Sequence, residues 1–201
     1  MPGEHMFLDD PPTSKAVEAA YAEDRDADGY VWNVTRLWSW RPDVDFAAFR
    51  QTLTDSSTLS DRERAVLVTA TAAELNDSYC SLAWGPRLAK LSDEETAAQV
   101  ITGAPAPALS EREAALAAWA RLVVSDPNAT TAQDVGRLRG AGLSDREIFE
   151  ATAFVALRLA FSTINDALGA TPDKQLAEAA PELVRAAVRY GRAPSPEPSR
   201  P

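Results

Sequence analysis

One short signal recurs four times in this sequence, and it fixes where helices begin. Each copy is Leu-Ser, two charged residues and a glutamate three positions after the serine, at 59–63, 91–95, 109–113 and 143–147. At a helix start, such a serine can accept a hydrogen bond from the third helical amide while the glutamate binds the serine amide. Acidic residues in the first turn also suit the positive end of the helix dipole. We therefore predict four helices, capped by Ser60, Ser92, Ser110 and Ser144.

Long, alanine-rich apolar segments follow three of these caps. The spacing predicts one helix from Ser60 to Trp84, one from Ser110 to Val124 and one from Ser144 to Leu168. Asp126-Pro127 stops the second, and Gly169 is a natural end for the third. Because the third is apolar on nearly every side, we expect it to be the buried centre of a helical bundle or an oligomer contact.

The rest of the chain predicts shorter helices and no strands. No segment shows sustained alternation of polar and apolar residues, so the predicted fold is all-α. Pro42 separates two helical pieces, and Asp43 is a candidate cap for the second. A loop is expected over 23–29. The remaining short helices are predicted at 13–22, 131–139, 173–180 and 182–190, the last two divided by Pro181.

The 201 residues suit a single domain with loose ends. We assign the domain to residues 1–190, with a mobile segment over 1–12. Residues 191–201 alternate proline with small and charged residues, which predicts a disordered tail.

Charge and cysteine usage narrow the partners and the compartment. A net charge of −10 disfavours nucleic acid and anionic lipid, whose phosphates would be repelled. One cysteine cannot form an internal disulfide, which favours a reducing compartment. No signal-peptide pattern and no apolar stretch of about 18 residues is found. We expect a soluble cytoplasmic protein without a membrane partner.

The shortage of histidine excludes whole classes of chemistry. His5 is the single histidine, so Ser-His-Asp hydrolysis, Cys-His nucleophiles and zinc sites of the His/Cys kind lack their imidazole. Asp24, Asp26 and Asp28 could bind a hard cation, but no bidentate glutamate follows at EF-hand spacing, so a polar loop is favoured. We expect no metal and no cofactor.

The single cysteine, Cys80, lies within the predicted 60–84 helix. Asp77, Cys80 and Trp84 would share one helix face, with Ser81 at its flank. Pro86 should kink or end the helix and free the Leu82 carbonyl. A thiol of ordinary pKa is roughly 3% ionised at pH 7, and a carboxylate such as Asp77 lowers that fraction. Two interpretations stay open: a small buried hydrophobe or a reactive sulfur.

The sequence from Leu59 to Leu91 resembles the core signature of the carboxymuconolactone decarboxylase and alkylhydroperoxidase D superfamily. Residues 109–169 resemble the second half of its peroxidase-related branch, and "GYVWNVTRLWSWRPD" resembles the N-terminal segment of that branch. The similarity spans about residues 21–173. It implies an all-α AhpD-like bundle, assembled as a symmetric homo-oligomer such as a dimer, trimer or hexamer.

The active motif of that superfamily, Cys-x-x-Cys-x-x-x-His, is degenerate here. By the resemblance, Cys80 occupies the position of the second, peroxidatic cysteine. Asp77 replaces the first, resolving cysteine, and Trp84 replaces the histidine. Glu63 lies near the glutamate of the proton relay, although the register places Ala65 at that position. A two-thiol cycle within one chain is therefore excluded.

Three functions remain open. The first is a one-cysteine thiol peroxidase in which Cys80 is oxidised, Tyr79, Ser81 or the freed carbonyl positions peroxide, and an external thiol is the reductant. The second is a non-redox lyase or decarboxylase acting on a small organic acid or lactone. Its pocket would be lined by tryptophans, with an arginine to hold the carboxylate: Trp32, Trp38, Trp40, Trp84, and Arg36 or Arg87. The third is an oligomeric binding protein that has lost its chemistry.

Overall fold

A computed structural model describes residues 6–42 and 57–199. Within these ranges the chain forms ten α-helices and no β-strand, which confirms the all-α class. The helices are α1 Lys15–Asp28, α2 Asn33–Trp38, α3 Asp61–Glu74, α4 Ser78–Leu91, α5 Glu94–Thr102, α6 Glu111–Ser125, α7 Ala132–Gly140, α8 Asp145–Ala167, α9 Lys174–Ala179 and α10 Glu182–Ala187. The second helical piece after Pro42, with Asp43 as its cap, lies outside the described residues.

Helix α3 is the centre of the bundle. Every residue from Ala65 to Ala73 is buried, and α3 packs against α4, α5, α6 and α8. Its many alanines let these four helices approach closely. The prediction that residues 144–168 form the buried centre was wrong, because α8 buries one stripe and leaves Phe149 and Ile164 exposed.

The predicted serine caps are confirmed at three of the four positions. Ser60, Ser110 and Ser144 each form the reciprocal pair of hydrogen bonds with the glutamate three residues later. The prediction for Ser92 was wrong: Asp93 caps α5, because its carboxylate accepts the Thr96 amide. The aspartate is as good a cap as the serine before it, and it starts the helix one residue later.

The predicted helix over 60–84 is in fact two helices. Asn76 has a left-handed φ of 58°, and the Asn76 and Asp77 amides bond back to the Ala73 and Ala72 carbonyls, which closes α3. Asp77 then caps α4, so it is not an interior helix residue. Pro86 neither ends nor interrupts α4, which runs on to Leu91. Packing of α4 against α3, α5 and α10 outweighs the lost hydrogen bond.

Of three segments predicted as a loop or as loose ends, one is helical and two form contacts with the bundle. Helix α1 continues through the predicted 23–29 loop to Asp28. In the N-terminal part, Met6 is buried and the Phe7 amide donates to the Leu168 carbonyl. In the proline-rich tail, Ser195 and Ser199 are buried, and the Ser195 amide donates to the Pro172 carbonyl. Hydrogen bonds to preceding loops connect this part of the tail to the bundle, and the disorder of 191–201 stays a prediction.

Candidate functional site around Cys80

Cys80 lies in the first turn of α4, at the junction with α3. The Cys80 amide donates to Asp77 Oδ1 over 2.8 Å, so the cap fixes the cysteine backbone. The cysteine is 2% exposed and packs with Ala72 and Phe161, with Trp38 at the edge of the cluster. The Trp38 and Phe161 rings stack, with centroids 5.2 Å apart. The sulfur is therefore enclosed by aromatic and small side chains.

Helix α8 contributes polar groups to the same place. Arg158 Nη2 lies 3.0 Å from the Cys80 sulfur, and Ser162 Oγ lies 3.7 Å from it. One turn further, Asn165 Oδ1 accepts the Trp38 indole N–H over 2.9 Å. Arg158, Ser162 and Asn165 are spaced four and three residues apart, so they share one face of α8. A cation and a hydroxyl thus contact the thiol inside the protein.

Three buried polar atoms of this cluster have no hydrogen-bond partner among the described residues. They are one acceptor, Asp77 Oδ2, and two donors, Arg158 Nε and Asn165 Nδ2. All three side chains are at least nine-tenths buried. Buried polar groups are normally satisfied, often by a small polar molecule. The arrangement offers both donors and an acceptor beside a thiol.

The electrostatics hold the resting sulfur in its protonated form. Burial raises the pKa of the Cys80 thiol, and the Asp77 carboxylate raises it further, whereas the Arg158 guanidinium opposes both. Nearby on α8, burial and the Asp77 charge raise the pKa of Asp166 to about 7, against the pull of Arg192. The thiol therefore has one carboxylate, Asp77, and one touching cation, Arg158, among the groups that act on it.

Of the other predicted site residues, only Trp84 joins this cluster. Its ring lies 5.7 Å from Cζ of Arg158 and 4.7 Å from Cζ of Arg87, centroid to carbon. The Tyr79 hydroxyl instead donates to Asp173 and accepts the Val34 amide. Ser81 Oγ pairs with the Tyr190 hydroxyl over 2.8 Å. The hydroxyl groups of Tyr79 and Ser81 thus form hydrogen bonds with other protein groups, and these bonds do not involve the Cys80 sulfur.

Glu63 stands at the start of α3 and has a structural role there. It closes the capping box with Ser60 and pairs with Arg112. Burial acts to raise the pKa of Glu63, but the hydrogen bonds from Arg112 and Ser60 outweigh it and lower that pKa. These polar contacts of Glu63 are all within the helix-start cluster, and the proton-relay role suggested for it stays a prediction.

The four tryptophans lie in different surroundings, and the pocket that they were expected to line together stays a prediction. Trp38 packs beside Cys80, and the Trp40 indole donates to the Asp9 carbonyl. Only Trp32 shares a cleft with a predicted arginine, Arg87. That cleft has a volume of about 690 Å³ and also contains Tyr30, whose ring stacks on Trp32. Arg36 lies over the Tyr21 ring.

A second cleft of about 330 Å³ lies between α4 and the C-terminal segment, and Cys80 lines neither of the two. In the first turns of α4, Ser78 and Leu82 line this smaller cleft. They lie on the side of α4 opposite Cys80, since two residues advance a helix by about 200°. Access to the sulfur therefore requires movement of the side chains that cover it.

Sequence reasoning missed Arg158, Ser162, Asn165 and Asp166. One signal could have identified the first: Arg158 is the only charged residue between Glu150 and Asp166, in an otherwise apolar helix. A charge in such a place needs a buried partner. Its pairing with a cysteine 78 residues earlier depends on tertiary topology, which no local pattern reveals.

The described ranges hold neither a metal-binding cluster nor a membrane span. Residues 6–42 and 57–199 contain no group of three or more His, Cys, Asp or Glu side chains arranged to hold a metal ion. Asp24 and Asp28 instead accept the backbone and indole N–H groups of Trp32. Over the same ranges, no helix combines the length and apolar character needed to cross a bilayer.

The fold is that of AhpD-like, peroxidase-related proteins of known structure. An uncharacterized peroxidase-related protein with an AhpD core from Ralstonia eutropha JMP134 matches 82% of this chain and 92% of its own, with a TM-score of 0.70 and 24% identity. For an uncharacterized peroxidase-related protein from Silicibacter sp. TM1040, the match covers 87% of this chain and 95% of the Silicibacter chain, with a TM-score of 0.76 and 20% identity.

A third structure of the same fold has a different activity in its name. The debrominase Bmp8, in its apo form, matches 89% of this chain and 95% of its own, with a TM-score of 0.67 and 13% identity. No protein-family profile matches the chain. No curated protein matches it by sequence. Identities of 13–24% establish the fold alone.

Proposed function

We propose that this protein is a one-cysteine thiol oxidoreductase that reduces a small peroxide at Cys80. The observation that carries the proposal is the buried Arg158 guanidinium 3.0 Å from the sulfur. A guanidinium in a site of low dielectric constant stabilises a thiolate and the negative charge that develops on a departing oxygen. The unpartnered Arg158 Nε and Asn165 Nδ2 donors and the Asp77 Oδ2 acceptor suit a peroxide, which both donates and accepts hydrogen bonds.

The reaction balances with an external thiol as reductant. The Cys80 sulfur attacks one oxygen of the O–O bond, that bond breaks, and the thiol proton ends on the departing oxygen as an alcohol or water. Cys80 is left as a sulfenic acid. One external thiol then displaces water to form a mixed disulfide, and a second releases Cys80 as the thiol. Asp77 at the family's resolving position cannot supply that second sulfur.

Substitution of Arg158 tests the proposal directly. We expect Arg158→Met to lower the second-order rate of Cys80 with hydrogen peroxide by about tenfold or more, since a charge-assisted hydrogen bond contributes about 1.5–3 kcal/mol. The measurement is stopped-flow fluorescence of the intact protein, with Cys80→Ser as the blank. Arg87→Met is the matched control, because Arg87 also lies over the Trp84 ring but lines the larger cleft, which Cys80 does not line.

Arg158→Lys provides a second variant if the methionine variant unfolds. It keeps the positive charge and loses the fork geometry, so we expect an intermediate rate. A wild-type rate equal to that of free cysteine at the same pH would contradict the proposal. That outcome would favour the third function, an oligomeric binding protein without chemistry.

A second candidate function rests on the larger cleft. Its stacked Tyr30 and Trp32 rings and the Arg87 side chain suit a small organic acid or lactone, as a non-redox lyase or decarboxylase would need. The debrominase with this fold shows that AhpD-like bundles are not confined to peroxide chemistry. Product formation from a carboxylate substrate that persists in Cys80→Ser would favour this function over the first.

We further propose that the protein works as a cytoplasmic homo-oligomer. Exposed apolar side chains on α8, Phe149 at 74% and Ile164 at 41%, favour a contact between copies. Sedimentation velocity of the purified chain measures the assembly, and a monomer at all concentrations would count against it. Only a small peroxide or organic acid, an external thiol and further copies of the chain are proposed as partners.

A further inference from the structure

The smaller cleft differs from the larger one in its charge. Its lining includes three arginines, Arg185, Arg189 and Arg192, and no Asp or Glu. The larger cleft balances Arg87 and Lys90 against Asp28 and Glu94. The whole chain has a net charge of −10, whereas the charged residues that line this cleft are all positive. A cleft with a positive local charge attracts anions.

The charges of these three guanidinium groups are weakly compensated by the residues that the structure describes. Among the described residues, none of them forms an ion pair within 4 Å. Arg189 Nε donates to the Ala186 carbonyl, and Arg192 lies over the Phe7 ring, 5.0 Å from Cζ to the centroid. Asp166 is the carboxylate that interacts electrostatically with Arg192, and burial keeps the pKa of Asp166 at about 7.

The walls of the cleft are apolar and firmly held. Leu82, Val188 and Pro194 supply hydrocarbon surface. The C-terminal segment is fixed against α4, because Ser78 Oγ donates to the Arg192 carbonyl over 2.7 Å and Tyr190 pairs with Ser81. At Gly191, φ is +68° and an added Cβ would lie 2.6 Å from the Asn76 carbonyl oxygen, so the backbones are in close contact. This cleft is preformed.

We propose that this cleft binds a small organic carboxylate with an apolar body, at a site separate from Cys80. The volume of about 330 Å³ is at the small end of ligand pockets. Arginine pairs with carboxylates through two parallel hydrogen bonds, which suits Arg189 or Arg192 at the cleft wall. The hydrocarbon of the ligand packs on Leu82 and Val188. The ligand contacts the face of α4 opposite the thiol, so occupancy does not require Cys80 chemistry.

The test is isothermal titration of the full chain with benzoate, with neutral benzamide as the matched probe. We expect benzoate to bind and to weaken with added salt, and benzamide to bind at least about tenfold more weakly. Arg189→Gln should weaken benzoate by about tenfold. Arg137→Gln is the charge-matched control and should leave benzoate binding unchanged, because Arg137 is an exposed residue of α7 paired with Asp134.

Three results would overturn this assignment. They are equal affinities for benzoate and benzamide, equal affinities of the Arg189 and Arg137 variants, and inorganic phosphate binding as tightly as benzoate. If Arg189→Gln unfolds, Val188→Asp tests the same wall by repelling the carboxylate, with circular dichroism to confirm folding. Peroxide kinetics at Cys80 provide an independent readout, so failure of benzoate binding leaves the thiol proposal untouched.

Discussion

At the residue scale, the chemistry of Cys80 is a competition between desolvation and one cation. Desolvation and the Asp77 charge favour the neutral thiol, whereas Arg158 favours the thiolate. The sequence predicted the Asp77 effect because the two residues are three positions apart. It could not predict Arg158, whose contact with the sulfur depends on how α8 packs beside α4. The resting Cys80 is therefore held as the neutral thiol, and Arg158 is the group that favours loss of its proton.

Removal of the Asp77 charge should make Cys80 more reactive at a given pH. Asp77→Asn keeps a side chain that caps helices well, so α4 should still begin at Ser78. We expect iodoacetamide alkylation of Cys80 at pH 8 to accelerate roughly tenfold, because a like-charge neighbour is lost. In the wild type, the rate should rise throughout pH 7–10 without a plateau, since the pKa of the thiol is above its usual value.

The control for this variant is Asp93→Asn, which removes the same charge from the cap of α5. It should leave the alkylation profile of Cys80 unchanged. Slower alkylation in Asp77→Asn would contradict this expectation. It would mean that Asp77 accepts the thiol proton, so that its charge assists the reaction of Cys80.

At the element scale, residues of the recurring capping signal also connect three helices to one another. Arg112, in the first turn of α6, pairs with Glu63 of α3 and with Glu147 of α8, the latter over 2.6 Å. These glutamates are the ones that close the capping boxes of their own helices. The caps could be predicted because they depend on four consecutive residues. The bridge between helices could not, because it depends on three helix starts meeting at one end of the bundle.

Loss of the Arg112 bridge should destabilise the fold measurably. We expect Arg112→Met to lower the free energy of unfolding by about 2–4 kcal/mol, because two largely buried carboxylates lose their cation. Urea unfolding followed by circular dichroism gives this value. Arg137→Met, which breaks an exposed pair within α7, should cost clearly less, because solvent screens that pair. Equal costs for both variants would contradict the bridging role.

Acid should weaken the same bridge. The hydrogen bond from Arg112, with those from Ser144, lowers the pKa of Glu147 to about 2. A lowered carboxyl pKa gives stability that is present above the unfolded value, about 4.3, and is lost as the pH falls toward 2. In Arg112→Met that part of the acid dependence should be smaller, because Glu147 then titrates closer to its ordinary value.

At the scale of the whole molecule, polar groups connect the described part of the C-terminal tail to the bundle. Asp173 is fully buried and accepts hydrogen bonds from the Tyr79 hydroxyl, the Ser199 hydroxyl and the Asn33 amide. The Gln175 side-chain amide binds the Ser199 backbone twice: its nitrogen donates to the Ser199 carbonyl, and its oxygen accepts the Ser199 N–H. Composition predicts disorder for 191–201 because proline, serine and charge lack apolar surface. In the described part of the tail, hydrogen bonds to Asp173, Gln175 and the Pro172 carbonyl take the place of that surface.

Truncation of the tail should therefore expose a buried charge. A chain ending at Arg192 leaves Asp173 without the Ser199 hydroxyl and leaves the Pro172 carbonyl without the Ser195 amide. We expect a loss of about 1–3 kcal/mol in the free energy of unfolding, the cost of unsatisfied buried polar groups. Because Tyr79 binds the same carboxylate and precedes Cys80, alkylation of the cysteine should also accelerate. Pro198→Ala, an exposed change in the same tail, should alter neither quantity. A truncated chain that unfolds and reacts like the full chain would mean that the tail merely rests on the bundle.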